Sequence, residues 1–533
     1  MIRAAILGLV GALSMPAMVH AFCGFYVAGA DDTLVNEATM VVMMRSGSRT
    51  VLSMQNHYQG PPENFAMVVP VPEVLSEDEV KVLPEAVFDR VDKLASPRLV
   101  EYWEQDPCMA PAIDDLFDGA SMRAGGGALR SRASSAGALG VTIEAEFEVG
   151  EYDIVILSAR DSSGLDTWLR LNEYSIPEGA EAVLRPYVEG GMKFFVAKVD
   201  VTKVRFEDGQ AKLSPLRFHY DAETFSLPVR LGLLNAEGKQ DLIVHILAPN
   251  QRYELANYDN VTIPTNVDVA DEVRERFPEF YAALFDETLS QNPRAVVTEY
   301  AWQATNCDPC PGPVLSASDL MTLGGDVLPE GAATAGQVGL GRGRFRPSPF
   351  MNMVLTRLHT RYSQETLTED LVFRAASPIV GGREFVQSDG ELEHGARESH
   401  ANNFQGRYAI RHEWEGEIKC LNPVRGRWGG PPNQPHGQPP VRPAQDLAFA
   451  TRGALSLPSV VQTPIPELSI GVAAQPAPAP QPKPELPAAT PATEAPAEAA
   501  AETSGCGSCA ASGAPTGGLL GLIALGLVLR RRR

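Results

Sequence analysis

The chain has 533 residues and carries 45 Lys and Arg against 66 Asp and Glu, a formal charge of −21. A surface this acidic repels phosphate backbones and argues against nucleic-acid binding. A hydrophobic fraction of 44 % with 21 % charged residues fits a globular core and excludes a wholly disordered chain or a multi-span membrane protein, and 7 cysteines are too few for a disulfide-rich miniature scaffold.

At the amino end, Arg3 precedes an apolar run over residues 4–13 and then Val19-His20-Ala21. This is the order of a secretory signal peptide occupying residues 1–21, with cleavage between Ala21 and Phe22. The body over residues 22–428 mixes strand and helix periods. Alternation over 38–45 and 49–56, around Ser46-Gly47-Ser48, predicts a β-hairpin. A strand follows over 65–71, ended by Pro70 and Pro72. Residues 84–94 read as a helix, and Ser96-Pro97 as the cap and first turn of a second running to Gln105. The Gly/Ala/Ser/Arg-rich stretch 125–140 reads as a surface loop.

Strands are predicted over 141–149, 153–158, 192–199, 216–220, 229–234, 242–247, 354–362 and 407–414. Helices are predicted over 165–171, 178–188 and 268–289, the last interrupted by Pro278. Runs of strands rather than strict alternation give an α+β body with mainly antiparallel sheets and several helices. Residues 429–504 are rich in Pro and Ala and read as a disordered stalk. Residues 505–533 hold Cys506 and Cys509, a short apolar helix, and Arg530, Arg531, Arg532 and Arg533. The bland reading of this tail is a single-span anchor with a cytoplasmic C-terminus. Its Cys, apolar helix and basic cluster also resemble a MYXO-CTERM sorting tail, which implies proteolytic processing and surface attachment through a cysteine.

Five cysteines lie in the exported body: Cys23, Cys108, Cys307, Cys310 and Cys420. An oxidising envelope favours structural disulfides for them, with at least one thiol left over. Cys307-Asp308-Pro309-Cys310 is a CxxC, but Pro311-Gly312-Pro313 would break the helix a redox thiolate needs. His394, His400 and His412, near Glu391, Glu393 and Glu398, are the candidate zinc ligands, without the spacing of a metalloprotease helix. His57 lies in a turn. Gly341-Arg342-Gly343-Arg344-Phe345-Arg346 reads as a basic patch or a connector. No GxSxG, GxxxxGK[ST] or strand-to-helix GxGxxG occurs, so no catalytic residue is named.

Phe22-Cys23-Gly24-Phe25-Tyr26-Val27, Thr50-Val51-Leu52-Ser53-Met54-Gln55-Asn56 and Phe65-Ala66-Met67-Val68-Val69-Pro70-Val71-Pro72 resemble the opening of the domain-of-unknown-function 2330 family. Asp89-Arg90-Val91 and Glu101-Tyr102-Trp103-Glu104 continue the likeness. The resemblance implies an exported bacterial protein and brings no activity with it. The expectation is an envelope-anchored binding or structural protein without a cofactor. Its partners would be the export machinery, a tail-processing protease, the membrane through its tail, and an unnamed surface ligand. The alternatives are an exported metal-assisted hydrolase, with zinc, or a CxxC redox enzyme.

Overall fold

The structure is a computed structural model. It describes residues 25–471 apart from 27–34, 37–38, 56–57, 60–65, 109–139, 173, 175, 177, 208–209, 236–238, 330–335, 341–343, 349, 364, 384–391, 435–437 and 445–449. The signal peptide, Cys23, His57, nearly all of the 125–140 loop, most of the stalk, Cys506, Cys509 and the terminal arginines therefore lie outside the described residues.

The first half runs β1 (Thr39–Ser46), β2 (Arg49–Gln55), β3 (Ala66–Val71), α1 (Glu85–Ala95), β4 (Arg98–Glu104), β5 (Val141–Val149), β6 (Tyr152–Ala159), α2 (Ser162–Leu171), α3 (Ala180–Glu189), β7 (Lys193–Val199) and β8 (Leu216–Asp221). The second half runs β9 (Gln240–Pro249), β10 (Arg252–Leu255), β11 (Asn260–Thr262), α4 (Phe277–Gln291), β12 (Val296–Gln303), β13 (Met353–Tyr362), β14 (Leu371–Ala376), β15 (Ile379–Gly381), β16 (Arg397–Glu398), β17 (Asn403–Gln405) and β18 (Arg407–His412). After these come β19 (Trp428–Gly429), β20 (Val441–Pro443) and α5 (Leu457–Val460).

An 11-stranded sheet carries the path β16-β15-β17-β12-β13-β9-β1-β2-β8 and ends on Val80–Val82. A five-stranded sheet containing β3, β7, β6 and β5 lies over it. Alternation decides this stacking. Met67, Val69, Ile154, Ile156 and Phe195 point inward against Met43, Leu52, Met54, Phe218 and Val244, while Val68, Leu157 and Phe194 point outward against Leu165 and Leu169 of α2 and Leu184 and Tyr187 of α3. On the far side of the large sheet, Val87, Phe88, Val91 and Leu94 line one stripe of α1 and pack against Val42, Met44 and Val51. The order is therefore helix, sheet, sheet, helix, an α+β body.

Most strand pairs are antiparallel, as expected. The sheets are nonetheless mixed, because β9 pairs β1, β11 pairs β12, β15 pairs β17 and β18 pairs β4 in parallel. Three expected elements differ. Residues 98–104 form β4, not a helix. Ser96 closes α1, its amide donating to Asp92 O at 2.8 Å, and Leu99, Val100 and Tyr102 suit a buried strand between β18 and β20. Residues 230–235 form a 3-10 helix, not a strand, because Asp370 Oδ1 accepts the amides of Val229 at 2.9 Å and Arg230 at 3.3 Å. Pro70 lies inside β3, since the short strand Phe25–Tyr26 pairs only Val68 and Met67 on that edge.

The folded body also extends past residue 428. Leu457, Val460, Val461, Ile465 and Leu468 enter the core that Phe280, Tyr281, Leu284 and Phe285 of α4 share with Tyr408 of β18. The described residues up to Gly471 belong to one compact unit.

Candidate functional site

Polar chemistry gathers at two places. The first is buried under α4. Residues 296–303 would alternate regularly as a strand, but β12 carries a bulge: Thr298 lies opposite Leu358 and Tyr300 opposite Arg357, so Glu299 is the extra residue. Its carboxylate accepts from Arg357 Nε at 2.5 Å, sits 2.6 Å from His359 Nδ1, and accepts from the Tyr281 hydroxyl of α4. The other imidazole nitrogen faces Asp241 of β9 at 3.2 Å, and the Phe285 ring stacks on the imidazole with centroids 3.9 Å apart. Arg357 also donates to Asp92 of α1, and Arg452 reaches in from the C-terminal segment to bridge Asp286 and Asp241.

Both nitrogens of His359 thus face carboxylates, which requires a proton on each, an imidazolium. Burial alone would lower its pKa, but Glu299 and Asp241 raise it above the ordinary value. Burial alone would raise the Glu299 carboxyl, but the charges of His359 and Arg357, with hydrogen bonds from His359 and Tyr281, hold it down to about 2. His245 is pushed the other way, well below the ordinary value, by burial and then by Arg357, so it stays neutral. Asp92, Asp241, Asp286 and Glu299 are matched by Arg357, Arg361, Arg452 and charged His359. Their role is to join α1, α4, three strands and the C-terminal segment, since Glu299, Arg357 and His359 are at most 1 % exposed.

The second place is an open cleft of about 450 Å³ between the end of α4, β10, β11, β12 and the segment carrying Glu467. Its wall presents Arg252, Glu254, Thr262, Thr298, Glu398 and Glu467 over a floor that includes Ile379 and Leu468. Arg252 is almost buried, donating Nε to Ser377 O and Nη2 to Glu254 at 3.3 Å. Glu254 is further held by Arg374 at 2.8 Å. Burial, offset in part by Glu254, lowers the Arg252 pKa from its ordinary value. A polar, concave, preformed surface of this size is what small-molecule sites use.

The residues singled out from sequence are placed as follows. His394 and His400 are exposed, while His412 stacks on Trp103 at 4.6 Å and lies 3.3 Å from Glu101. Glu393, fully buried, is taken by Arg383 at 2.7 Å and Arg397 at 2.8 Å. Among the described residues no group of three or more His, Cys, Asp or Glu side chains is placed to hold a metal ion, and Glu391 lies outside them. Cys108 is bonded to Cys420, and Cys307 to Cys310. The CxxC loop is fastened to the body by hydrogen bonds: Arg98 donates to Pro309 O and Gln405 to Asp308 O, each at 2.8 Å. Arg344 and Arg346 lie on a strand, Arg344–Ser348, paired with Gly336–Leu340. Sequence reasoning did not single out Asp241, Glu299, Arg357 or His359; of the cleft residues it singled out Glu398, and Asn260-Val261-Thr262 only as a weak N-glycosylation pattern.

Among curated proteins and solved structures no match is found. Residues after 374 complete both places, Arg452 the ionic cluster and Ile379, Ala396, Glu398, Glu467 and Leu468 the cleft. The likeness first read in the opening strands holds: the chain belongs to the domain-of-unknown-function 2330 family, an uncharacterized protein conserved in bacteria, whose model matches residues 16–374.

Proposed function

We propose that this is an exported protein, held at the bacterial envelope by its C-terminal tail, whose folded body binds a small polar ligand in the open cleft. The cleft itself carries the reading. It is concave, roughly 450 Å³, open to solvent, and lined by charged, amide and hydroxyl side chains over apolar residues. The buried cluster is closed to any ligand by comparison. Export is supported by Arg3, the apolar run and Val19-His20-Ala21, and tethering by the Pro/Ala stretch followed by Cys506, Cys509 and the terminal arginines.

Thermal melting of the full chain against a panel of small polar compounds tests the binding. A ligand at 100 times its Kd adds about 2.7 kcal/mol. Ala396→Trp, which fills the cleft, is expected to abolish the shift while leaving the unliganded melting point close to wild type. A ligand whose shift survives that substitution binds elsewhere and overturns the assignment.

A further inference from the structure

Resting on the cleft being the binding site, we propose that its ligand is a small zwitterion of net positive charge, a diamino acid in type. Glu398 and Glu467 hold its ammonium groups and Arg252 its carboxylate. The lining carries three carboxylates and one guanidinium, Glu254, Glu398, Glu467 and Arg252, a net charge of 1 − 3 = −2. Glu254 is already offset by Arg374 and Arg252. Glu398 and Glu467 are exposed and form no ion pair with a described residue, so the free cleft presents two uncompensated anions.

Two buried groups point to the same ligand. Thr298 is 2 % exposed and lines the cleft, yet its hydroxyl makes no hydrogen bond among the described residues. A ligand donor or acceptor in the cleft can take up that hydroxyl. Arg252 is 8 % exposed, and its Nε and Nη2 are taken by Ser377 O and Glu254. Its Nη1 is left to donate to a ligand carboxylate, a charge-assisted bond. A bare metal ion fits less well, because these carboxylates do not form a group placed to hold one. Arg252 and Thr298 lie inside the family match, whereas Glu398 and Glu467 lie beyond residue 374. Selection for positive charge therefore belongs to the chain's C-terminal third.

Calorimetric titration of the full chain at low salt compares L-lysine with cadaverine, which lacks the carboxylate, and L-norleucine, which lacks the second ammonium. L-lysine is expected to bind saturably and each of the others about tenfold or more weakly, the loss of one charged hydrogen bond. The double variant E398Q/E467Q is expected to weaken L-lysine by a similar factor or more with an unchanged melting point, since both side chains are exposed. Thr298→Val is expected to weaken it several-fold. Cadaverine binding as tightly as L-lysine, or L-lysine binding that ignores the double variant, overturns the proposal. A neutral polyol that binds and is blocked by Ala396→Trp, with no L-lysine binding, removes this ligand class and leaves the cleft as the site. Silence from every probe in both titration and melting removes both.

Discussion

Glu299 is the most consequential side chain in the interior. It is fully buried, and its two oxygens serve Arg357, His359 and Tyr281. Removing one partner of a buried ion pair leaves the others uncompensated, typically costing about 3–5 kcal/mol. Glu299→Gln is expected to lower stability by about that much in urea denaturation. A loss under 1 kcal/mol would show that the cluster contributes little. The same groups set the pH window. His359, with its pKa raised, stabilises the fold fully below the unfolded value of 6.5, and that contribution is lost as pH rises through the higher folded value. Glu299, depressed to about 2 from 4.5, contributes above 4.5, and that contribution is lost as pH falls towards 2. For these two groups stability is therefore greatest between those limits. His359→Phe is expected to flatten the alkaline limb of a melting-point profile.

Little of this was legible in the chain. The alternation over 354–362 predicts a strand correctly, but nothing in that pattern shows that Arg357 and His359 are buried. Their burial follows from α4 and α1 packing over that face, which is tertiary information. Residues 296–303 gave no strand prediction, and the bulge that re-aims Glu299 breaks the period a sequence reading depends on. Of the cleft residues Glu398 stood out as a neighbour of the histidines, and Asn260-Val261-Thr262 only as a weak glycosylation pattern. The others come from separate elements and meet only in the fold.

At the scale of elements, local signals served best where one element forms by itself. The first hairpin, β5, β6, α1 and α3 lie within about two residues of their expected bounds and α2 within three, because apolar period and turn residues agree there. Residues 96–105 failed because Ser-Pro is a helix start only when no strand partner competes, and β18, which does compete, is 309 residues further along the sequence. The C-terminal boundary failed because composition outweighed pattern: Leu457, Val460, Val461, Ile465 and Leu468 carry a helix-like spacing inside Pro-rich sequence. These five side chains are buried, at about 1.5–3 kcal/mol each. A chain ended at residue 450 is expected to lose its cooperative unfolding transition, and one ended at residue 471 to keep it. The Cys108–Cys420 bond also acts at this scale, since it closes a separation of 312 residues. Replacing both cysteines with serine is expected to cost about 2–4 kcal/mol in a denaturant titration, more than the same change at Cys307 and Cys310, which close a separation of 3.

For the whole molecule, the proposal sets a compact acidic body on a tether, with its cleft free to meet small solutes. Maturation follows from the two ends. The exported protein is expected to begin at Phe22 and to lack Arg530 to Arg533. Replacing Cys506 and Cys509 with alanine is expected to spare export but abolish surface display, as read by mass spectrometry and by protease accessibility on intact cells. The central claim is that binding takes place in the cleft, and hydrogen–deuterium exchange of the full chain, free and saturated with a compound that raises its melting point, tests it most directly. The account predicts slower exchange over residues 252–254, 396–398 and 466–468, with the outer face of α2 and α3 unchanged. Protection confined to other segments, with those three exchanging as in the free protein, would contradict it.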